Sequence, residues 1–531
     1  MVSLSIRKGV IHVKITFIGA THEVTGSCTL LEVNGHFYLI DCGMEQGIDV
    51  FENEPLPVSP SDIEAVFLTH AHVDHSGMLP KLCKDGFKGT IFATEATCNL
   101  CSIMLRDCAH IQESESEWKN RKAKRAGGVH VEPVYDMNDA NAAISLLRRC
   151  KYSEIITAGE GVEIRFTDVG HLLGSAAIEI WMEEGDISRK IVFSGDVGNT
   201  GHPILNDPKC VHEADYLVIE STYGNRLHEK SRADLPKDLA AIIQRAFDRG
   251  GSVVIPAFAV GRTQELLYAL RQINNSGMVH GHGTIPIYVD SPLAIEATSI
   301  FIQSDRSCFD PDMTEILDRG ENPIWSDGIH LSVTSQESIA INLNPSPKVI
   351  ISASGMCDAG RIRHHLKHNL WDWRNIIVFA GYQSVGTLGR QLQDGVSSVK
   401  LFQEEIAVRA EICTLKGTSG HADRNGLLTW IQSFDTVPGK IFVNHGDDDS
   451  CTSFVSLLSE NYGYDAEAPF SGTQFDLASG MYTVRTAGRR ITPKGTLKSR
   501  SVFNALIAAA QSLLELARSF KGRPNKEIEQ F

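Results

Sequence analysis

The chain has 531 residues and a formal net charge of −15, with 42% hydrophobic, 22% charged and 7% aromatic residues. This composition excludes a mainly disordered protein, and twelve cysteines over such a length exclude a small disulfide-stapled scaffold. No uninterrupted apolar run reaches the ~18 residues of a membrane span.

In chain order, the amino-terminal stretch alternates around Lys14 and reads as a first strand rather than a leader, which suggests a cytoplasmic protein with reduced thiols. Segments 11–18, 27–33, 37–40, 65–68, 91–93, 162–167, 176–181, 191–193 and 216–219 are rich in β-branched and aromatic residues and predict strands. Residues 95–150 form a helical excursion, with an acidic run at 113–117 followed by a basic one at 119–125. Within it, Cys98, Cys101, Cys108 and His110 imitate a zinc spacing, but a helical pattern without a second cysteine pair favours buried thiols. From about residue 232, short apolar strands at 252–255, 285–289, 348–351 and 375–380 alternate with helices at 239–246, 263–273 and 361–369. That rhythm predicts a parallel α/β unit. The earlier style returns near Glu411, so one domain is expected to be inserted into another. A basic tail follows, with ten Lys/Arg against three Asp/Glu from Arg485 onward and a helix predicted over 502–520.

Chemistry concentrates in Thr69-His70-Ala71-His72-Val73-Asp74-His75, directly after the strand predicted at 65–68. Imidazole and carboxylate are the donors of a catalytic zinc site. His70 and His72, two apart in an extended segment, can point the same way, and Asp74 and His75 can face a second ion. Four other apolar strands deliver a His or Asp into a Gly-containing loop: Asp41, His171, Asp196 and His445. A strand-end Asp taken singly is an ordinary turn residue. Taken together, these residues compose a two-metal site.

The string His70-x-His72-x-Asp74-His75 with a distant His, Asp and His resembles the metallo-β-lactamase fold hydrolases. The resemblance covers about 13–220 and 405–450. It implies His70, His72 and His171 on one Zn²⁺, Asp74, His75 and His445 on the other, Asp196 bridging and Asp41 orienting the ligand loop. The intervening strings Glu220-Ser-Thr-Tyr-Gly, Pro256-Ala-Phe-Ala-Val-Gly-Arg262, Asp290-Ser-Pro, Ser352-Ala-Ser-Gly-Met and Ser419-Gly-His421-Ala-Asp423 resemble the β-CASP group of that fold, which processes nucleic acids. Glu220, His421 and His445 match its motifs A, B and C, and a His at motif C favours RNA. One departure is Glu45 before Gln46-Gly47, where relatives often carry an aromatic.

The implied fold is α/β: a metallo-β-lactamase αββα sandwich (13–215 and 405–475) with an inserted β-CASP α/β domain (216–404) and a basic extension (476–531). The implied cofactor is two Zn²⁺ per chain, with Mn²⁺ as the other candidate. The implied partner is single-stranded RNA, with no membrane, and a homodimer by analogy.

Two ions about 3.5–4 Å apart share a hydroxide that is nucleophilic at neutral pH. Asp74 and Asp196 then serve as catalytic carboxylates as well as ligands. His421, held protonated by Glu220, is the candidate general acid for the departing ribose oxygen. The expected products carry 5′-phosphate and 3′-hydroxyl ends. Arg262, Ser354 and Gly355 are candidate phosphate contacts, and an ion pair inside the domain is the competing role for Arg262. Arg361, His364, His365 and His368 share one predicted helix, where packing outweighs RNA contact. Two rival functions remain: a hydrolase of small esters or thioesters, against which the insertion speaks, and a non-catalytic RNA-binding subunit, against which the full ligand set speaks.

Overall fold

The computed structural model describes residues 13–491 except 48, 49, 127, 128, 229–233, 385, 416 and 418. The helix predicted over 502–520 lies outside the described residues. The chain divides into two units, one of residues 1–47 and 53–486, the other of 48–52 and 487–531. In the second unit Phe51 and Arg490 pair antiparallel, and the Arg490 guanidinium lies 5.0 Å from the Phe51 ring centroid.

The first unit contains two sheets stacked face to face. The eight-stranded sheet runs Met481–Val484, Gln474–Asp476, Lys14–Gly19, Cys28–Val33, His36–Ile40, Ile63–Phe67, Thr90–Thr94, Leu147–Cys150. The seven-stranded sheet runs Ala466–Glu467, Lys440–Asn444, Tyr216–Glu220, Ile187–Phe193, Ala176–Glu184, Val162–Asp168, Ile156–Gly159. Alternation along each strand splits its side chains between two faces. Leu31 and Val33 enter the core between the sheets, whereas Leu30 faces the helices outside. Phe17 and Phe475, from one sheet, meet Phe442 of the other at centroid distances of 5.0 and 5.1 Å. Helices Leu79–Lys84, Glu95–Ala126 and Met137–Ser145 cover one outer face, and Arg424–Gln432 and Asp448–Ser456 cover the other. The result is the expected αββα sandwich. Cys98 and Cys101 are buried, unpaired thiols in the helical layer, and burial pushes Cys98 up to about 12.

A third sheet is fully parallel: Ile329–Leu331, Ile287–Val289, Val349–Ser352, Val253–Pro256, Ile376–Phe379, Glu411–Thr414. Its central strands, VVIP, VIIS and IIVF, are buried at every position, as a sheet covered on both faces requires. The sheets do not divide at the expected boundaries of 216 and 405. Tyr216–Glu220 pairs in the seven-stranded sheet, and Glu411–Thr414 pairs in the parallel one. Register with neighbouring strands, which no local pattern encodes, decides the membership of such boundary segments. Among the described residues no helix is long and apolar enough to cross a membrane.

The inserted layer is seated on the loops of the sandwich. Leu205 bridges to Phe309, and the Ile204 N–H donates to Asp310 at 2.8 Å. Leu172 and Leu173 join the same apolar cluster as Val260 and Leu266.

Candidate metal centre and acid pair

The strand Ile63–Phe67 ends just before the histidine loop, and Val73–Ser76 then forms one helical turn with His72 at its start. Extended backbone followed by a turn throws four side chains toward one place. His72 Nδ1 lies 3.0 Å from His70 Nε2 and 3.3 Å from His171 Nε2. His75 Nε2 lies 3.0 Å from His445 Nε2, and Asp74 Oδ2 is 3.9 Å from that same His445 nitrogen. Asp196 stands between the two groups. Its Oδ2 is 3.4 Å from His70 Nε2 and from His171 Nε2, while Oδ1 is 3.4 Å from His75 Nε2 and 3.5 Å from His445 Nδ1. The loop of Asp196 follows the strand Ile187–Phe193, and His445 follows Lys440–Asn444. Asp447, two residues later, caps the helix Asp448–Ser456 through the Ser450 N–H at 2.8 Å and so anchors that loop.

Asp41 lies behind the cluster. A carboxylate can only accept, so the His75 Nδ1–H donates to Asp41 Oδ2 at 2.7 Å, which leaves Nε2 facing His445 and Asp196. The Thr69 N–H at 2.8 Å and the hydroxyls of Thr69 and Ser27 complete the Asp41 shell.

Two features suit metal ions. Asp196 Oδ1 is buried yet has no aligned hydrogen bond among the described residues. Burying a carboxylate so incompletely partnered is costly unless a cation sits beside it. In addition, burial keeps His70 and His171 below the ordinary imidazole range and, with His70 adjacent, pushes His72 down to about 3. They are therefore neutral imidazoles, the form that ligates. Five imidazoles and two carboxylates form a nitrogen–oxygen donor set of the kind zinc takes at catalytic sites. Burial also works against ionised Asp196, but the surrounding histidines outweigh it and hold that carboxyl well below its usual range.

Glu220 and His421 form a second pair against the same cluster. His421 Nδ1 is 3.2 Å from both Glu220 oxygens and 4.0 Å from Asp196 Oδ2, and its ring centroid is 4.4 Å from that of His171. Glu220 is buried and accepts the Val197 N–H at 2.6 Å and the Thr222 N–H at 3.2 Å. The His421 side chain is 22% exposed. Burial works against the charged ring, but the Glu220 carboxylate overcomes it and His421 is raised to about 9.

All seven anticipated donors, together with Asp41, Glu220 and His421, thus converge. The more distant candidates do not join them. Arg262 is ion-paired with Glu265 one helical turn on, the role that competed with phosphate contact. Ser354 bonds within its own loop to Ala359, and Gly355 packs against Phe258. Arg361 and His365 are tied to Asp290 at 2.7 and 2.6 Å, whereas His364, stacked on Phe402, and His368 are exposed. Sequence reasoning missed Ser27 and His228. The His228 Nε2–H donates to the His421 carbonyl at 2.9 Å. Neither residue has a spacing that marks it, because each partner is set by strand or loop contact.

The fold and this constellation define a metallo-β-lactamase-type hydrolase with a β-CASP insertion. Matches to the metallo-β-lactamase superfamily over 23–243, the Beta-Casp domain over 263–392 and the Zn-dependent metallo-hydrolase RNA specificity domain over 405–469 agree. The chain is 36% identical over 449 residues to ribonuclease TTHA0252 of Thermus thermophilus, covering 84% of this chain and 96% of the relative. It is 30% identical over 475 residues to the transcription termination factor FttA of Pyrococcus abyssi (86% and 70% covered) and 29% over 458 to that of Methanocaldococcus jannaschii (84% and 69%). The chain belongs to the β-CASP ribonuclease family.

Proposed function

We propose that this chain is a cytoplasmic, metal-dependent ribonuclease that hydrolyses phosphodiester bonds of single-stranded RNA, in processing or decay, and leaves 5′-phosphate and 3′-hydroxyl ends. The observation that carries the reading is the Glu220–His421 pair, 3.2 Å apart, pressed against the seven-donor cluster. The 3′-alkoxide expelled from RNA is strongly basic and needs a proton donor such as His421, and a small ester or thioester needs no inserted domain beside its metal centre.

His70, His72, His171 and Asp196 Oδ2 would hold one Zn²⁺, and Asp74, His75, His445 and Asp196 Oδ1 the other. When bound, such ions bring the pKa of water toward neutrality and neutralise phosphate charge. The protein's own share is positional and acidic. Asp41 keeps His75 in one tautomer and orientation. Glu220 accepts the Nδ1–H of His421, so the opposite ring nitrogen carries the proton delivered to the departing 3′-oxygen. Ionised Glu220 is held in place by the N–H groups of Val197 and Thr222.

The test is a 5′-labelled single-stranded RNA incubated with protein of measured metal content, with and without chelator. Cleavage that needs about two ions per chain and yields 5′-phosphate products agrees with the proposal. Products ending in 2′,3′-cyclic phosphate, or turnover unaffected by chelation, would refute it.

A further inference from the structure

Two exposed aromatic residues flank the loop that carries Gly355. Phe258 is 48% exposed and Tyr382 52%. A Cβ on Gly355 would lie 3.1 Å from two ring carbons of Phe258, so the absence of a side chain lets the loop pass against this ring. Buried Gln383 joins the two sides: its Nε2–H₂ donates to the Gly355 carbonyl at 3.0 Å and to the Tyr382 carbonyl at 3.1 Å. Phe258 is anchored from behind, where its carbonyl accepts the Thr263 hydroxyl at 2.7 Å in the first turn of the helix Arg262–Ser276.

This wall adjoins the metal centre. A Cβ on Gly261 would lie 3.1 Å from Leu172 Cδ1, and Leu172 is next in sequence to the candidate ligand His171. The three residues from Phe258 to Gly261 span at most about 11 Å. Cationic recognition is muted here, because the Arg262 guanidinium is paired with Glu265. What the wall offers a passing strand is an aromatic surface on a braced backbone.

We propose that Phe258, with Tyr382 beside the same loop, is a stacking site for an unpaired base of the RNA, which sets the register of the strand against the metal centre. The proposal rests on the reading of RNA as substrate. Stacking on an aromatic face tolerates any base and is lost on truncation to alanine. A ring fixed by a backbone contact and a neighbouring loop gives up little freedom when a base covers it.

The experiment pairs protein variants with abasic substrates. Phe258→Ala, Phe258→Trp and Tyr382→Ala are compared with the unaltered protein on a single-stranded RNA and on versions carrying one abasic nucleotide, scanned through positions near the cleavage point. KM and kcat are read for cleavage, and fluorescence anisotropy reads binding of the same oligonucleotides to the full chain. Phe258→Ala is expected to raise KM and Kd about 5- to 100-fold, with Phe258→Trp restoring most of the loss. One abasic position should cost the unaltered protein a similar factor and cost Phe258→Ala less than about twofold, a coupling that a purely structural defect would not produce. An abasic penalty undiminished in Phe258→Ala, or unchanged KM and Kd, would overturn the proposal. Binding that depends on Phe258 without any cleavage would instead refute the hydrolytic reading and leave the stacking site standing.

Discussion

His421 and Glu220 lie 201 positions apart, yet His421 Nδ1 is equidistant, at 3.2 Å, from the two carboxylate oxygens. The contact joins the start of the inserted segment to its return. A symmetric approach to an ionised, buried carboxylate favours the protonated ring and fixes its plane.

Glu220→Gln should therefore change the pH profile as well as the rate. With Glu220 present His421 stays protonated up to about 9, so acid assistance persists to that pH and falls above it. Removing the carboxylate leaves only the more distant Asp196 and Asp74 to oppose burial, which lowers the imidazole. The alkaline limb of kcat should move down by more than one unit, with a loss at neutral pH of about 10²-fold or more. Metal content, read by atomic emission, should stay near that of the unaltered protein. A profile that keeps its alkaline limb would contradict the assignment.

Asp41→Asn tests the support behind His75. The amide can present its NH₂ where the imidazole N–H now points, which disfavours the tautomer with Nε2 free to ligate. Loss of an outer partner of this kind costs about 10–100-fold in metal affinity. Titration with a competing zinc chelator should show one ion released earlier while the other is held nearly as before.

Gly43→Ala should damage the same region by sterics alone. A Cβ at this position would overlap the Asp74 carbonyl and approach the Ser27 nitrogen to 2.8 Å. Both neighbours are backbone, so neither can rotate away. The Asp74 segment must shift, with an expected cost of at least about 2 kcal/mol in stability. Thermal unfolding with and without added zinc should show a smaller metal-induced rise in Tm than for the unaltered chain.

Phe442→Ala addresses the sandwich itself. The ring is fully buried between Phe17 and Phe475. Truncation should cost about 3–5 kcal/mol, read by denaturant unfolding. Because His445 follows the same strand by one residue, activity should fall at temperatures where the variant is still folded.

Local spacing was enough for one part of this protein. The histidine loop declares itself because extended backbone and one turn of helix bring residues two, four and five apart together, whatever surrounds them. The buried strands VVIP, VIIS and IIVF are legible for a similar reason, since a strand covered on both faces must be apolar throughout. The resemblance of the longer strings extended this reading to Glu220 and His421, without stating where they sit.

Long-range pairing decided the rest. Ser27 reaches Asp41 because Cys28–Val33 pairs with His36–Ile40, and Tyr216–Glu220 joins the sandwich rather than the parallel sheet through its register with Lys440–Asn444. Arg262 turns to Glu265 rather than toward the cluster, and Phe258 remains exposed beside Gly355. Such outcomes depend on which surfaces meet across hundreds of residues, a competition of packing and desolvation that no window along the chain contains.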